Sequence, residues 1–239
     1  MIHEFRADMT KSTMESPQIK APPRVVAVSG VIFSLLYMVS LILIRLSVPA
    51  DPTESGEWML DSTYRNWFGI SLNLVPFSGI AFLWFMAVLR NRIGLLEDRF
   101  FGTVFLGSGL LFVSMLFAAA AVSQGIHVFG NTVQTPAQSE IYQVLRRISY
   151  ALLNIFGMKM AAVFMFMTST IGLRTGVIAR WVTYVGYTFG LILLLVITDF
   201  AWIALLFPSW VLILSMWILV ADFRRKRFQM EGTGGGTDS

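Results

Sequence analysis

Long apolar runs dominate the chain, and the short stretches between them hold most of its charges. A helix needs about 20 residues to cross the hydrocarbon core of a bilayer, because each residue rises only ~1.5 Å. Six runs reach or approach this length, and five of the six contain no charged residue. They span residues 25–44, 66–89, 100–122, 148–173, 181–198 and 200–221. The pattern therefore predicts an all-α membrane protein with six transmembrane helices in a compact bundle.

The last two runs are separated only by Asp199. A single helix over residues 181–221 would be about 62 Å long, roughly twice the thickness of the hydrocarbon core. We therefore expect two crossings joined by a tight hairpin. Pro76 and Pro208 fall inside the second and sixth predicted helices, where proline is expected to kink the backbone.

The distribution of lysine and arginine predicts the orientation. With the N-terminus inside, 13 of the 18 basic residues lie in inner segments, and the outer side holds only Arg45, Arg65, Arg146 and Arg147. Basic residues favour the cytoplasmic side, so both termini are expected in the cytoplasm. The expected location is the cell membrane, with a bacterial cytoplasmic membrane as the default.

Both ends of the chain read as polar tails. Residues 1–24 mix charges, hydroxyls and prolines, which predicts a disordered cytoplasmic N-terminal tail. Residues 222–239 form a basic and then glycine-rich cytoplasmic C-terminal tail. The basic cluster of this tail is expected to anchor the orientation and to contact anionic lipid. Its members are Arg224, Arg225, Lys226 and Arg227.

The two long outer loops differ in character. Residues 45–65 carry four carboxylates, so the first loop is acidic. In the second loop, Thr135 and Pro136 are typical of a helix start, and apolar residues then recur at three- and four-residue steps from Ile141. This predicts an amphipathic helix that either rests on the outer membrane surface or runs directly into the fourth transmembrane helix.

A weak internal repeat appears at an offset of 81 residues. It aligns the second helix with the fourth and the third with the fifth, which suggests a duplicated hairpin. Alternatively, orientation rules alone place arginine and aromatic residues at each inner boundary. The matching pairs are Leu72-Asn73 with Leu153-Asn154, Phe85-Met86 with Phe166-Met167, and Arg99-Phe100 with Arg180-Trp181.

The amino-acid composition excludes several classes of protein and of chemical site. Hydrophobic residues make up 56% of the chain and charged residues only 13%, far below the charged fraction of a soluble domain. Cysteine is absent, which excludes disulfides, thiolate metal sites and cysteine nucleophiles. Neither His3 nor His127 is expected inside a spanning helix, so we predict no haem, metal or other cofactor. The basic pI reflects membrane orientation, and no nucleic-acid partner is expected.

Lys159 is the leading candidate for a ligand-binding residue, because an ionised amine in hydrocarbon costs on the order of 3 kcal/mol and commonly faces a bundle interior. Counted from Arg174, it lies ~22 Å above the inner boundary, and Asp199, counted from Arg180, lies ~28 Å above it. The two could therefore pair. The alternatives are that Lys159 snorkels to water and that Asp199 only polarises an exposed turn.

Asn73 and Asn154 fall in the same outer layer, each about 12 Å inward from an outer arginine. If both face inward with Lys159 and Asp199, the four residues form a polar cavity that could bind a carboxylate, a phosphate or a lipid headgroup. The alternative is that each asparagine only stabilises helix packing through hydrogen bonds.

Three classes of function remain. The sequence favours a non-enzymatic accessory or ligand-binding membrane protein, whose partners would be the bilayer, an anionic or lipid-like ligand, and another membrane protein or a second copy of the chain. The alternative is a small-solute or lipid transporter with its polar site around Lys159. An intramembrane enzyme ranks third, because no set of catalytic groups falls at one depth.

The orientation can be tested with a tag fused to either terminus. An impermeant protease or label should reach both tags only from the cytoplasmic side, because the basic flanks hold both ends there. A C-terminal tag that is reached from the opposite side would overturn the six-helix count.

Overall fold

The computed structural model describes residues 23–49, 57–93, 99–129, 136–195 and 201–233. These ranges contain helices, short turns and no strand. Five helical segments in them are long and apolar enough to cross a membrane. The predicted all-helical class is therefore confirmed for the described residues, and the five apolar segments are compatible with a multipass membrane protein. Residues 1–22 and Asp199, to which several predictions refer, lie outside the described ranges.

Seven α-helices and three shorter helical elements make up the described part of the chain. The α-helices are α1 (Pro23–Ser47), α2 (Ser62–Ile93), α3 (Arg99–Phe129), α4 (Pro136–Tyr150), α5 (Met158–Thr175), α6 (Arg180–Leu195) and α7 (Leu206–Thr233). Two 3-10 turns, Glu57–Leu60 and Ala201–Leu205, precede α2 and α7, and a π-helical segment, Ala151–Gly157, joins α4 to α5.

The spanning segments lie in α1, α2, α3, α7 and the continuous run from α4 to α5. α6 is shorter, with 16 residues and a length of about 24 Å. The five spanning segments are Val25–Ser47, Ser62–Asn91, Phe100–Val128, Glu140–Thr175 and Trp202–Arg224.

Several helices extend beyond their predicted bounds. α3 continues to Phe129, so His127 lies in the last turn of a helix long enough to span, and the prediction that it lies outside such a helix is wrong. α7 continues past residue 221 to Thr233, so the first part of the predicted tail is helical. Pro76 lies inside α2 as predicted. Pro208 instead falls in the first turn of α7, where its missing N–H breaks no hydrogen bond.

The predicted amphipathic helix is α4. Of the two alternatives, the structure has the second, because α4 passes through the π-helical segment directly into α5. Its apolar residues Ile141, Val144 and Ile148 are exposed, and Tyr142 on the other side is buried. Tyr142 and the partly buried Leu145 pack in a hydrophobic cluster with Trp58 and Phe68, so α4 presents apolar residues to the rest of the bundle as well.

The outward face of α1 is a row of exposed large apolar residues that recur at three- and four-residue steps. A soluble monomer rarely exposes so long an apolar stripe, whereas lipid solvates it well. The row comprises Val25, Val28, Ile32, Leu35, Val39, Ile42 and Leu46.

A cluster of phenylalanine rings fills the centre of the bundle, and we call it the phenylalanine cluster. Each ring comes from a different helix, and the contacting pairs have centroids 4.8–6.2 Å apart. Tilted and edge-on contacts of this kind are the arrangements that aromatic rings prefer. The cluster ties α1, α2, α3, α5 and α7 together through Phe33, Phe82, Phe112, Phe164 and Phe207.

Glycines let neighbouring helices approach closely around this centre. A Cβ on Gly30 of α1 would overlap the Ser215 hydroxyl of α7, and a Cβ on Gly186 of α6 would overlap the Ser169 hydroxyl of α5. Trp210 of α7 also donates to the Val182 carbonyl of α6, with an Nε1 to oxygen distance of 3.3 Å. Close packing of small residues is how membrane helices associate without a hydrophobic driving force.

The Gly30→Ala substitution tests this packing. The added methyl group would also lie 2.7 Å from Cδ2 of Phe85, so the Ser215 and Phe85 side chains or α1 itself must shift. We expect the free energy of unfolding to fall by about 1–3 kcal/mol, as overpacking of a dense core does. The measurement is a denaturant titration of the purified protein in detergent micelles.

The matched control is Gly107→Ala on α3, where a Cβ meets nothing within 4 Å. Since alanine favours helix over glycine, this variant should be as stable as the parent or slightly more stable. Equal stability of the two variants would contradict the close contact between α1 and α7.

Candidate functional site

Lys159 lies half-buried on α5 and points at the end of α6. Its Nζ donates to the carbonyl oxygen of Leu194 at 2.6 Å. Leu194 belongs to α6, so this bond joins α5 directly to α6. In this position the lysine ties the two helices together. Its predicted pairing with Asp199 stays a prediction, because Asp199 is outside the described ranges.

The two asparagines make similar hydrogen bonds but face different surroundings. Asn73 donates to the Gly69 carbonyl at 3.0 Å, and Asn154 donates to the Tyr150 carbonyl at 3.3 Å. Asn73 is exposed on α2, whereas Asn154 is half-buried and lines a cavity. Of the predicted site residues that are described, only Asn154 lines this cavity. In the basic cluster of the tail, Arg224 is exposed.

The cavity lies at the end of the bundle where α1 ends and α2 begins, which is the predicted outer end. It has a volume of about 400 Å³ and is bounded by α1, α2, α3, α4 and the π-helical segment. We call it the outer pocket. Most of its wall is apolar, through residues such as Leu41, Ile44, Leu72, Val75, Leu116, Ala119, Ala120, Ile126, Leu153 and Ile155.

Three arginines contribute the charge of the outer pocket. Arg45 comes from the last turn of α1, Arg147 comes from the last turn of α4, and Arg146 directly precedes Arg147. Arg146 donates through Nη2 to the Pro49 carbonyl at 2.6 Å, which ties α4 to the chain after α1. No carboxylate is among the described residues that line the pocket. The pocket is therefore lined by apolar side chains toward the centre of the bundle and by arginines toward its outer end.

A chain of hydrogen bonds joins α3 to α4 along the pocket wall. The Ser149 hydroxyl donates to the Ala119 carbonyl at 3.0 Å, and the Ser123 and Ser149 hydroxyls are 2.6 Å apart. Because a serine hydroxyl has one hydrogen, Ser123 is the donor in the second bond. These contacts hold the start of the π-helical segment against α3, so that Asn154 lines the pocket.

A small hydrophobic cluster covers the outer pocket from above. Trp58 of the 3-10 turn donates through Nε1 to the Tyr142 hydroxyl of α4 at 2.9 Å, and both side chains are buried. Phe68 packs edge-on against Trp58 with centroids 5.3 Å apart. The turn is fixed because Asp61 caps α2 by accepting from the Thr63 N–H at 2.7 Å, and Arg65 donates to the Met59 carbonyl.

The inner end of the pocket meets the aromatic core. Tyr37 of α1 packs edge-on against Phe112 with centroids 6.0 Å apart, and Phe112 belongs to the phenylalanine cluster. Tyr37 and Phe112 are both almost fully buried. Beneath Leu41 and Leu116, the bundle is thus filled by packed rings.

Metal ligation is not suggested by the described residues, which contain no group of three or more His, Cys, Asp or Glu. His127 instead packs over Gly69, where a Cβ would lie 3.1 Å from its Cε1 atom. Its ring also lies 6.1 Å from the Phe68 ring. The contact helps to position α2 and α3 beside the pocket.

Sequence reasoning missed the arginines of this pocket. It treated Arg45, Arg146 and Arg147 as the minority of basic residues that the positive-inside rule leaves outside. Their position on the outer side, against the positive-inside rule, was the sequence signal that could have identified them. Three of the four outer arginines line one cavity. The fourth, Arg65, does not line it.

No protein-family model matches the chain, and no curated protein or solved structure does. What the protein binds must therefore be inferred from the residues that line its cavity.

The Trp58→Phe substitution tests the cover of the pocket. Phenylalanine keeps most of the ring packing but removes the Nε1 donor, which leaves the buried Tyr142 hydroxyl without it. We expect the free energy of unfolding to fall by about 1–3 kcal/mol. The matched control is Trp67→Phe, which changes an exposed tryptophan of α2 and should have little effect.

Combination with Tyr142→Phe separates the hydrogen bond from packing. If the bond couples the two residues, the double variant should be destabilised by clearly less than the sum of the two single variants. Additive effects in denaturant titrations would mean that the bond does not hold the cover in place.

Proposed function

We propose that the chain is a multipass protein of the cell membrane, by default a bacterial cytoplasmic membrane, that crosses six times with both termini in the cytoplasm. The fifth crossing in chain order would be α6 together with residues 196–198, which prolong its apolar run. The excess of basic residues in the inner segments supports this orientation.

We further propose that the two central hairpins arose by duplication. α3 begins at Arg99 and α6 begins at Arg180, an offset of 81 residues that matches the sequence repeat. The carbonyls that accept from Asn73 and Asn154 belong to Gly69 and Tyr150, which are related by the same offset. These correspondences support a common origin of α2–α3 and α5–α6.

The function that the geometry supports best is binding of a ligand in the outer pocket, with a non-enzymatic role. The observation that carries this proposal is a cavity of about 400 Å³ with mostly apolar walls and a few polar groups gathered at one end. Ligand sites in proteins typically have this size and this distribution of polar groups.

Two features of the structure favour binding over the other classes. The phenylalanine cluster packs the bundle beneath the pocket, where a transporter would need a path. The polar groups that line the pocket are arginine, serine, tyrosine, tryptophan and asparagine side chains. General acid–base catalysis most often uses imidazole or carboxylate groups, and none is among the described lining residues.

Photolabelling with a neutral probe tests whether the outer pocket binds a ligand. The protein in phospholipid vesicles would be illuminated with a long-chain alcohol that carries a diazirine in its chain. Labelled peptides would then be quantified by mass spectrometry. We expect strong labelling of residues 116–126 and 142–155, which supply much of the pocket wall.

Ala119→Trp should lower this labelling several-fold, because the indole would occupy the space beside the buried Ala119. Ala120→Phe offers a smaller obstruction if the first variant does not fold. The matched control is Ala87→Trp, which places an indole on an exposed position of α2 and should leave pocket labelling unchanged. Equal labelling in all these variants would refute the outer pocket as a ligand site.

A further inference from the structure

We infer that the ligand of the outer pocket is a single-chain amphiphile with an anionic head, such as a carboxylate, sulfate or phosphate. Its head would lie among Arg45, Arg146 and Arg147, and its chain would extend along the apolar wall toward Leu41 and Leu116. This inference rests on the proposed binding function and adds the chemistry of the ligand.

The charge of the pocket is the first reason. Arg45 lies close enough to Arg146 and Tyr150 to interact with both electrostatically, and Arg147 lines the same end of the cavity. Like charges in a partly buried site repel each other more strongly than in water. Guanidinium groups match the geometry of carboxylates and phosphates, so an anionic head fits this end of the pocket better than a cationic one.

The apolar wall is the second reason. Below the arginines, the pocket is lined by aliphatic side chains from α1, α2 and α3, including Ile44, Val75 and Leu116. Water or a small inorganic anion makes no favourable contact with such a surface, whereas an alkyl chain packs against it. The combination of charged end and apolar wall therefore fits an amphiphile better than a free anion.

The size and position of the cavity limit the ligand further. A volume of about 400 Å³ lies near the lower end of the range of about 300–1,000 Å³ for small-molecule pockets. One chain suits this volume better than the two chains of a phospholipid. Ile155 of the π-helical segment lines the pocket and is also 39% exposed, so the wall is thin there. A chain could enter at this point directly from the bilayer.

The polar residues of the wall complete the head site. Ser123, Tyr150 and Asn154 line the cavity on the side of α3 and the π-helical segment. Asn154 uses one of its two amide hydrogens to bond the Tyr150 carbonyl, and the amide group of asparagine carries a second. The second amide hydrogen of Asn154 would donate to a head oxygen in addition to the arginines, and the Ser123 hydroxyl, whose hydrogen bonds Ser149, would contribute only an acceptor.

The test is competition against the neutral photoprobe in vesicles of a zwitterionic phospholipid. The competitors share a twelve-carbon chain and differ only in the head: dodecyl phosphate, dodecanol and dodecyltrimethylammonium. We expect dodecyl phosphate to compete at about tenfold lower concentration than dodecanol, the factor that one hydrogen bond between charged groups typically contributes. Inorganic phosphate alone should not displace the probe.

Variants that remove one arginine charge show which residues cause the preference for dodecyl phosphate. Arg45→Gln and Arg147→Gln should each reduce the preference for dodecyl phosphate over dodecanol, and together they should abolish most of it. Arg147 is exposed, so its variant should fold even if Arg45→Gln does not. Arg90→Gln is the matched control, because Arg90 is exposed on α2 and does not line the pocket, and its variant should keep the preference.

The outcomes separate this inference from the proposed function. If dodecanol and dodecyl phosphate compete equally, or if the arginine variants keep the preference, the anionic ligand is refuted while labelling of the pocket still stands. Displacement by inorganic phosphate, or preference for the ammonium head, would also overturn the inference. If Ala119→Trp and Ala120→Phe leave labelling unchanged, the proposed function fails, and this inference fails with it.

Discussion

The absence of hydrogen-bond partners in lipid is the constraint on which this structure depends. Each backbone N–H and C=O inside a bilayer must be paired within the protein, so a chain that crosses repeatedly must do so as helices or as a closed barrel. The described part of this chain takes the helical solution. Because lipid is as apolar as leucine, hydrophobicity alone cannot choose helix partners, and contacts between rings and small residues do so instead. The phenylalanine cluster and the approaches at Gly30 and Gly186 serve this purpose.

The same constraint explains how polar side chains are accommodated. Ser34, Thr168 and both asparagines bond to carbonyls of their own helices, four residues earlier. Lys159 bonds to a backbone carbonyl of another helix, that of Leu194. A polar residue in an apolar run is therefore weak evidence for a binding site, because the backbone nearby often supplies its partner.

At the predicted outer end, a 3-10 turn and a π-helical segment interrupt the regular α-helices. The polar groups of the outer pocket lie there. The 3-10 turn, α4 and the π-helical segment bring side chains from distant parts of the chain together, with Trp58 bonded to Tyr142 and Arg146 bonded to Pro49. Below them, packed aromatic rings fill the bundle. The molecule thus combines a rigid apolar body with a charged cavity at one end, which is an arrangement suited to holding a ligand at the edge of the membrane.

The sequence by itself determined the helical membrane class, the approximate position of most spans and the existence of α4, because these follow from the length and periodicity of apolar runs. It also singled out Asn154, although as part of a different cavity. Only the tertiary structure decided that Lys159 bonds to the end of α6, that Asn73 faces outward, and that Arg45, Arg146 and Arg147 share one pocket. Periodicity reports which residues can enter lipid, but the rotation of each helix and the choice of its neighbours depend on contacts between side chains far apart in the chain.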